Sequence, residues 1–173
     1  MIVNSNDCRK GPVGYDLSME PQRPPERLPE LPPALITHVG YLSVVLGQRS
    51  QALFEAAMEP LDLRPVLFDY LAALSDDGPR SQRDLARLLE MDAARIVALT
   101  DELEGRRLIQ RTVDTSDRRR NLITVTRDGR TLFARAAKAA AKVEAELLAP
   151  LTAADGDRLR RLLRTALGLS APA

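Results

Sequence analysis

SQRDLARLLEMDAARIVALTDELEGRRLIQRTVDTSDRRRNLITVTRDG, residues 81–129, is a run of four short segments separated by turn signals. Ser81 can cap a helix over residues 82–90, because a serine oxygen accepts from the unpaired N–H groups of a first turn. Leu85, Ala86, Leu88 and Leu89 are its buried set. Asp92 can cap a second helix from residue 93 to about 106, with Ile96, Leu99 and Leu103 inward at three- and four-residue steps. Residues 108–113 (LIQRTV) and 121–126 (NLITVT) read as strands, and the charged segment 114–120 (DTSDRRR) joins them. The result is helix, tight turn, helix, then a β-hairpin tipped with arginine.

That order of elements suits DNA reading for a physical reason. The first helix braces the second, whose N-terminal turns project into the major groove. There the base edges carry a distinguishable pattern of donors and acceptors. The hairpin reaches the neighbouring backbone or minor groove, where arginine meets concentrated negative potential.

The rest of the chain flanks this module. Residues 1–33 hold seven of the twelve prolines, which fix φ and remove donors, so the stretch reads as a flexible or polyproline-like arm. A helix follows from residue 34 to about 58, with Leu35, Val39, Leu42, Leu46, Leu53 and Ala57 recurring at helical steps until Pro60 stops it. Residues 63–75 form another, with Pro65 in its first turn, and Asp76-Asp77-Gly78-Pro79 is a loop by composition. After Gly129 an alanine-rich helix runs to about Leu148, where Pro150 ends it. Thr152 can cap a last helix with Leu159, Leu162, Leu163 and Leu167 on one side. The fold class expected is mainly α with a small β-hairpin wing. Residues 61–127 are expected to form the winged helix-turn-helix, with helical regions over residues 34–60 and 128–169 flanking it.

Totals bound the function. With 173 residues, 45% hydrophobic and 28% charged, the chain can bury a core and is not of disordered composition. No apolar run approaches a membrane span, and no signal pattern opens the chain, so no membrane is expected and the cytoplasm is the default compartment. One cysteine and one histidine exclude a disulfide framework and disfavour a zinc site, so neither metal nor cofactor is expected. Net charge is only +1, which by itself does not point to nucleic acid. Between Arg80 and Arg130, however, twelve arginines face nine acids. No motif arranges a nucleophile, base and orienting group, and none cradles a phosphate, so catalysis is not expected.

The residues of the module also resemble a known family. Ser81-Gln82-Arg83-Asp84-Leu85-Ala86 is similar to the opening of the MarR (multiple antibiotic resistance regulator) winged helix. Leu99-Thr100-Asp101-Glu102-Leu103-Glu104, with Leu108, Ile109 and Arg111, is similar to its recognition helix and following strand. Asp117-Arg118-Arg119, then Leu122, Thr124, Thr126 and Gly129, resembles its wing and exit. The resemblance covers residues 34 to 167. It implies a homodimer, with the first and last helices packed across a two-fold axis and two winged helices presented to a palindromic double-stranded DNA site, as in a ligand-responsive repressor or activator. The terminal leucines can equally pack within one chain.

Arg118, Arg119 and Arg120 at the hairpin tip are read as DNA contacts, with a solvated turn paired to Asp114 and Asp117 as the plainer alternative. Arg95 flanks the outward face of the second helix and can reach a guanine edge or a phosphate. Ser81, Gln82 and Arg83 sit where free N–H groups favour a phosphate, although capping alone accounts for Ser81. Ala94, Ala98 and Asp101 point outward. Ala94, Val97 and Ala98 can touch thymine methyls, with Ala93 a further candidate DNA contact, whereas Asp101 repels phosphate if it comes close. Relatives often carry arginine or another polar residue at position 98 and glycine at position 107, where this chain has Ala98 and Arg107.

The resemblance further implies a small aromatic or anionic effector, held between the dimer helices and the winged helix. His38, Tyr41 and Asp69 can wall such a pocket. An ordinary surface histidine, and an Asp69 paired to an arginine, are the plainer readings. Cys8 lies beside Arg9 and Lys10, which lower a thiol pKa, but nothing orients it for redox sensing. A winged helix used for protein interaction, with no DNA site, is the main alternative to the regulator.

Overall fold

The described residues begin with two helical pieces rather than one. The computed structural model describes residues 31–113 and 121–169. The arm before residue 31, Cys8, and the wing tip with Asp114, Asp117, Arg118, Arg119 and Arg120 lie outside the described residues. α1 (Pro33–Ile36) starts at the last proline of the expected arm, since Pro is pre-organised for a first helical turn. Thr37 then turns its hydroxyl onto the Ala34 carbonyl (3.2 Å), and His38 is extended, so the expected continuous helix breaks there. α2 (Val39–Met58) follows. Pro60 sits in a 3-10 turn, Glu59–Leu61, that ends it.

α3 (Pro65–Asp77) runs two residues past the expected end, taking in the acidic pair assigned to a loop; Gly78, at φ +81°, makes the break. Next come β1 (Arg80–Ser81), α4 (Gln82–Leu88) and α5 (Ala93–Gly105). β2 (Ile109–Val113), β3 (Asn121–Val125), α6 (Arg127–Leu148) and α7 (Ala153–Ala166) complete the order. The sheet is antiparallel with order β1-β3-β2, pairing Ile109 with Val125, Arg111 with Ile123 and Arg80 with Ile123. β1 is an addition to the expected hairpin, because two residues carry no periodicity.

The core lies under the winged helix. Leu67, Tyr70 and Leu71 of α3 pack with Leu85, Ile96, Leu103, Ile109, Ile123 and Ala136, all essentially without solvent contact. Each large apolar side chain so buried stabilises by roughly 1.5–3 kcal/mol. Leu88, expected inside, points out at 51% exposure, because α4 ends there and Leu89 takes the inward place. The three phenylalanines form a column joining three helices. Phe54 of α2 meets Phe68 of α3 edge-on at 5.2 Å, and Phe68 meets Phe133 of α6 at 5.4 Å.

A positive φ at Arg107 accounts for the glycine that the resemblance leads one to expect there. Arg107 (φ +59°) follows the end of α5, with its N–H on the Glu104 carbonyl and the Leu108 N–H on the Leu103 carbonyl. This paired closure favours glycine. Arg107→Gly is therefore expected to raise stability by about 1 kcal/mol, read as a higher urea midpoint with unchanged slope.

Candidate nucleic-acid interface

α4 and α5 are set by their caps. Ser81 Oγ accepts from Asp84 N–H (3.2 Å) and donates to its Oδ2 (2.6 Å), while Asp92 Oδ1 accepts from Arg95 N–H (2.8 Å). Ser81 is buried and its hydroxyl is engaged in capping, so the capping role assigned to it is present. Gln82 is half-buried, with an amide nitrogen that has no partner among the described residues. Arg83 is exposed.

On α5, Ala93, Ala94, Val97 and Ala98 are exposed together, Arg95 is half-buried beside them, and Ile96, Leu99 and Leu103 are buried as spaced. The outward face is as small as its sequence implies. Its acids differ from expectation. Asp101 is exposed, but Arg111 of β2 grips it and Glu104 together, also donating its backbone N–H to Glu104 Oε1 (3.2 Å). The hydrogen bond to Asp101 leads the effects that hold the Arg111 pKa above its ordinary value. Arg64 pairs with Glu102, and Arg106 reaches the Asp62 carbonyl (2.7 Å). Asp101 is thus a partnered strut rather than a bare repulsive charge. Exposed pairs of this kind contribute about 0–1 kcal/mol each, so their value is in orientation.

The charges therefore sort by place. The three acids in the second half of α5 all have cationic partners. Among the described residues no carboxylate pairs with Arg83 and Arg95, in the first turns of α4 and α5, or with Arg87 in the last turn of α4. A chain of net charge +1 can present a positive face this way.

Two sets of hydrogen bonds reach across the fold. Tyr70 of α3 donates to Thr100 Oγ1 (2.6 Å), and Thr100 donates to the Ile96 carbonyl (2.6 Å). Burial pushes the Tyr70 hydroxyl up to about 12. Thr126 ties α5, wing and α6 together: its Oγ1 caps Gly129 N–H (3.1 Å) and its backbone N–H donates to the Leu108 carbonyl (3.0 Å). The Tyr70–Thr100 and Thr126–Leu108 contacts join residues 30 and 18 apart and so make no local pattern.

His38 and Tyr41 lie at the start of α2, and Asp69 lies on α3. His38 is exposed just before α2, Tyr41 is half-buried one turn on, and Asp69 is half-buried on α3. No hydrogen bond or ion pair among the described residues joins them, and none gives Asp69 the arginine allowed for it. Burial raises the Asp69 pKa. Its stabilising contribution is then present below the ordinary carboxylate range and is lost as pH rises through the raised value. Asp69→Asn is expected to melt above wild type at pH 7, with the gap closing at about pH 4. An Asn variant less stable at pH 7 would refute this account of Asp69.

Capped helix-turn-helix, two-stranded wing and positive leading edge define a winged-helix protein of the DNA-binding class. The pattern of the MarR family matches residues 61–120. The chain is 34% identical over 95 residues to the HTH-type transcriptional repressor NicR of Pseudomonas putida, an alignment covering 55% of this chain and 60% of that repressor. It is similar to the transcriptional repressor CouR, solved on a 23-mer DNA duplex, at 33% identity and TM-score 0.71, covering 80% of this chain and 99% of that one. It also resembles CouR of Rhodococcus jostii RHA1 bound to p-coumaroyl-CoA, at 28% identity and TM-score 0.67, covering 82% and 100%. The chain belongs to the MarR family, and its relatives are transcription regulators rather than enzymes. Among the described residues no helix is long and apolar enough to cross a membrane.

Proposed function

We propose that this protein is a dimeric repressor that binds a palindromic DNA site and releases it in response to a small aromatic or anionic effector. Residues 61–127 are the reading module. The start of α5, with Ala93, Ala94, Arg95, Val97 and Ala98, enters the major groove, where Arg95 takes a guanine or phosphate and the small face meets thymine methyls. Arg83 and the α4 start, with Ser81 and Gln82, lie against a phosphate. Arg118, Arg119 and Arg120 extend from the wing toward the minor groove. Residues 34–60 and 128–169 make the dimer, and the cytoplasm, where the DNA is, is the place of action.

The observation that carries this reading is the sorting of charge. Arg83 and Arg95 have no carboxylate partners among the described residues, while the α5 acids are held by Arg64 and Arg111. The relatives support a repressor: NicR and CouR carry that name, and CouR sits on DNA. Effector response leans on a CouR bound to p-coumaroyl-CoA. His38, Tyr41 and Asp69 are the residues offered for it.

The test is a titration of a duplex carrying the gene's own upstream region with the full chain at low salt. Saturable binding, displaced by excess unlabelled upstream duplex but not by an unrelated one, is expected. Absence of binding overturns the reading.

A further inference from the structure

Tyr70 has a place in the structure that the family reading does not use. It is fully buried on α3, and its hydroxyl reaches across to α5. Thr100, also fully buried, donates its own proton to the Ile96 carbonyl one turn back. The chain Tyr70–Thr100–Ile96 thus ends on the backbone of the helix turn that presents Val97 and Ala98. A threonine bonded back to the carbonyl four residues earlier bends a helix slightly. Whether it does so depends on the hydroxyl rotamer, and Tyr70 fixes that rotamer by donating to the same oxygen.

The opposite side of α3 completes the geometry. Residues advance about 100° each around a helix, so Phe68 and Tyr70 lie on nearly opposite faces. Phe68 contacts Phe54 and Phe133 of the two long helices, while Tyr70 contacts Thr100 of α5. α3 is therefore clamped between the long helices and the reading helix by an aromatic column on one face and a buried hydroxyl pair on the other. An apolar residue at position 70 would fill the same core but leave the bend and azimuth of α5 unset.

We infer that Tyr70, through Thr100, is a positioning residue that sets the recognition helix for specific over non-specific DNA. This rests on the DNA-binding reading above. It touches no base itself.

The test measures two affinities of the intact dimer: for a duplex enriched from a random pool by the wild-type protein, and for poly(dI-dC). Tyr70→Phe and Thr100→Val are each expected to lower affinity for the selected duplex by about three- to thirty-fold, leaving poly(dI-dC) binding unchanged. The double variant is expected to lose no more than either single one, because both break one chain. Thr100→Ser, which keeps the hydroxyl, is expected to retain the wild-type ratio. A Tyr70→Phe protein that melts earlier but keeps its ratio of specific to non-specific affinity overturns the proposal, since a purely structural bond would do that. If Tyr70→Phe and Thr100→Val fail to fold, loss of the ratio in Thr100→Ser overturns it and retention supports it. Wild-type protein that binds no duplex at all overturns the DNA reading, and this proposal with it.

Discussion

Replacing Leu162 and Leu167 together with glutamine is expected to yield a folded monomer with at least about 100-fold weaker binding to a palindromic duplex. The reason lies in what the terminal helices leave uncovered. Leu162 and Leu167 of the α7 segment are 58% and 70% exposed, and Leu163 and Leu169 are exposed beside them. At the other end Leu35, Ile36, Val39, Leu42 and Val44 are exposed too, Val39 at 78%. A single chain rarely leaves that much apolar surface to water without a partner. α7 is tied to α6 chiefly by Arg160, which pairs with Glu144 at 2.9 Å, and by Leu148 lying close to Gly156. Of the two roles open to the leucine stripe, internal packing leaves these side chains exposed, whereas a second copy would cover them. Glutamine keeps the charge and helix propensity while removing the apolar face, so the winged helix should stay folded. Sedimentation velocity and a DNA titration read the two halves of the expectation. A double variant that remains a dimer of undiminished affinity would place the seam elsewhere.

Gly129→Ala is expected to destabilise the fold by about 3 kcal/mol or more. Gly129 sits in the first turn of α6, capped by Thr126, and a Cβ there would lie 2.0 Å from the Leu108 carbonyl oxygen and 2.8 Å from Val125 Cγ1. The first of these is backbone, held by Thr126 N–H at 3.0 Å, so it cannot swing aside as a flexible side chain would. Relief requires α6 to move off the wing, which opens the core around Leu108 and Ile123. For a chain of this size the loss corresponds to a melting temperature lower by roughly 6–12 °C. A variant melting within about 2 °C of wild type would mean the approach of α6 to the wing is looser than described.

The parts of the fold legible in sequence are those written locally. Asp92 and Thr152 begin helices where expected, Ile96, Leu99 and Leu103 are buried at their helical spacing, and the strands fall within one residue of their expected ends. Propensity and capping act over one or two turns, and a reader of the chain sees them. The missed features act at a distance. Asp101 looks like a liability until Arg111 is known to lie against it, and Tyr70 looks like one more core residue until Thr100 is placed opposite. Arg107 looks like a lapse from glycine, but the left-handed turn it occupies is tolerated at a modest cost. Gly129 looks like a helix boundary, and it is an inside position where only hydrogen fits. Of the site, the small face of α5 is evident from Ala94, Val97 and Ala98. The division into paired and unpaired arginines is not, because it depends on Arg64 before α3 and Arg111 of β2 being brought against α5 by the fold.

The most direct measurement is the salt dependence of binding between the full-length protein and the upstream duplex, over about 50 to 200 mM salt. The logarithm of affinity is expected to fall steeply and linearly with the logarithm of salt. Arg118→Ala and Arg119→Ala should each flatten that slope by about one, for the one phosphate left unneutralised, while the dimer persists. An affinity indifferent to salt, or no binding at the lowest salt, would contradict the account and leave the winged helix as a surface for protein partners.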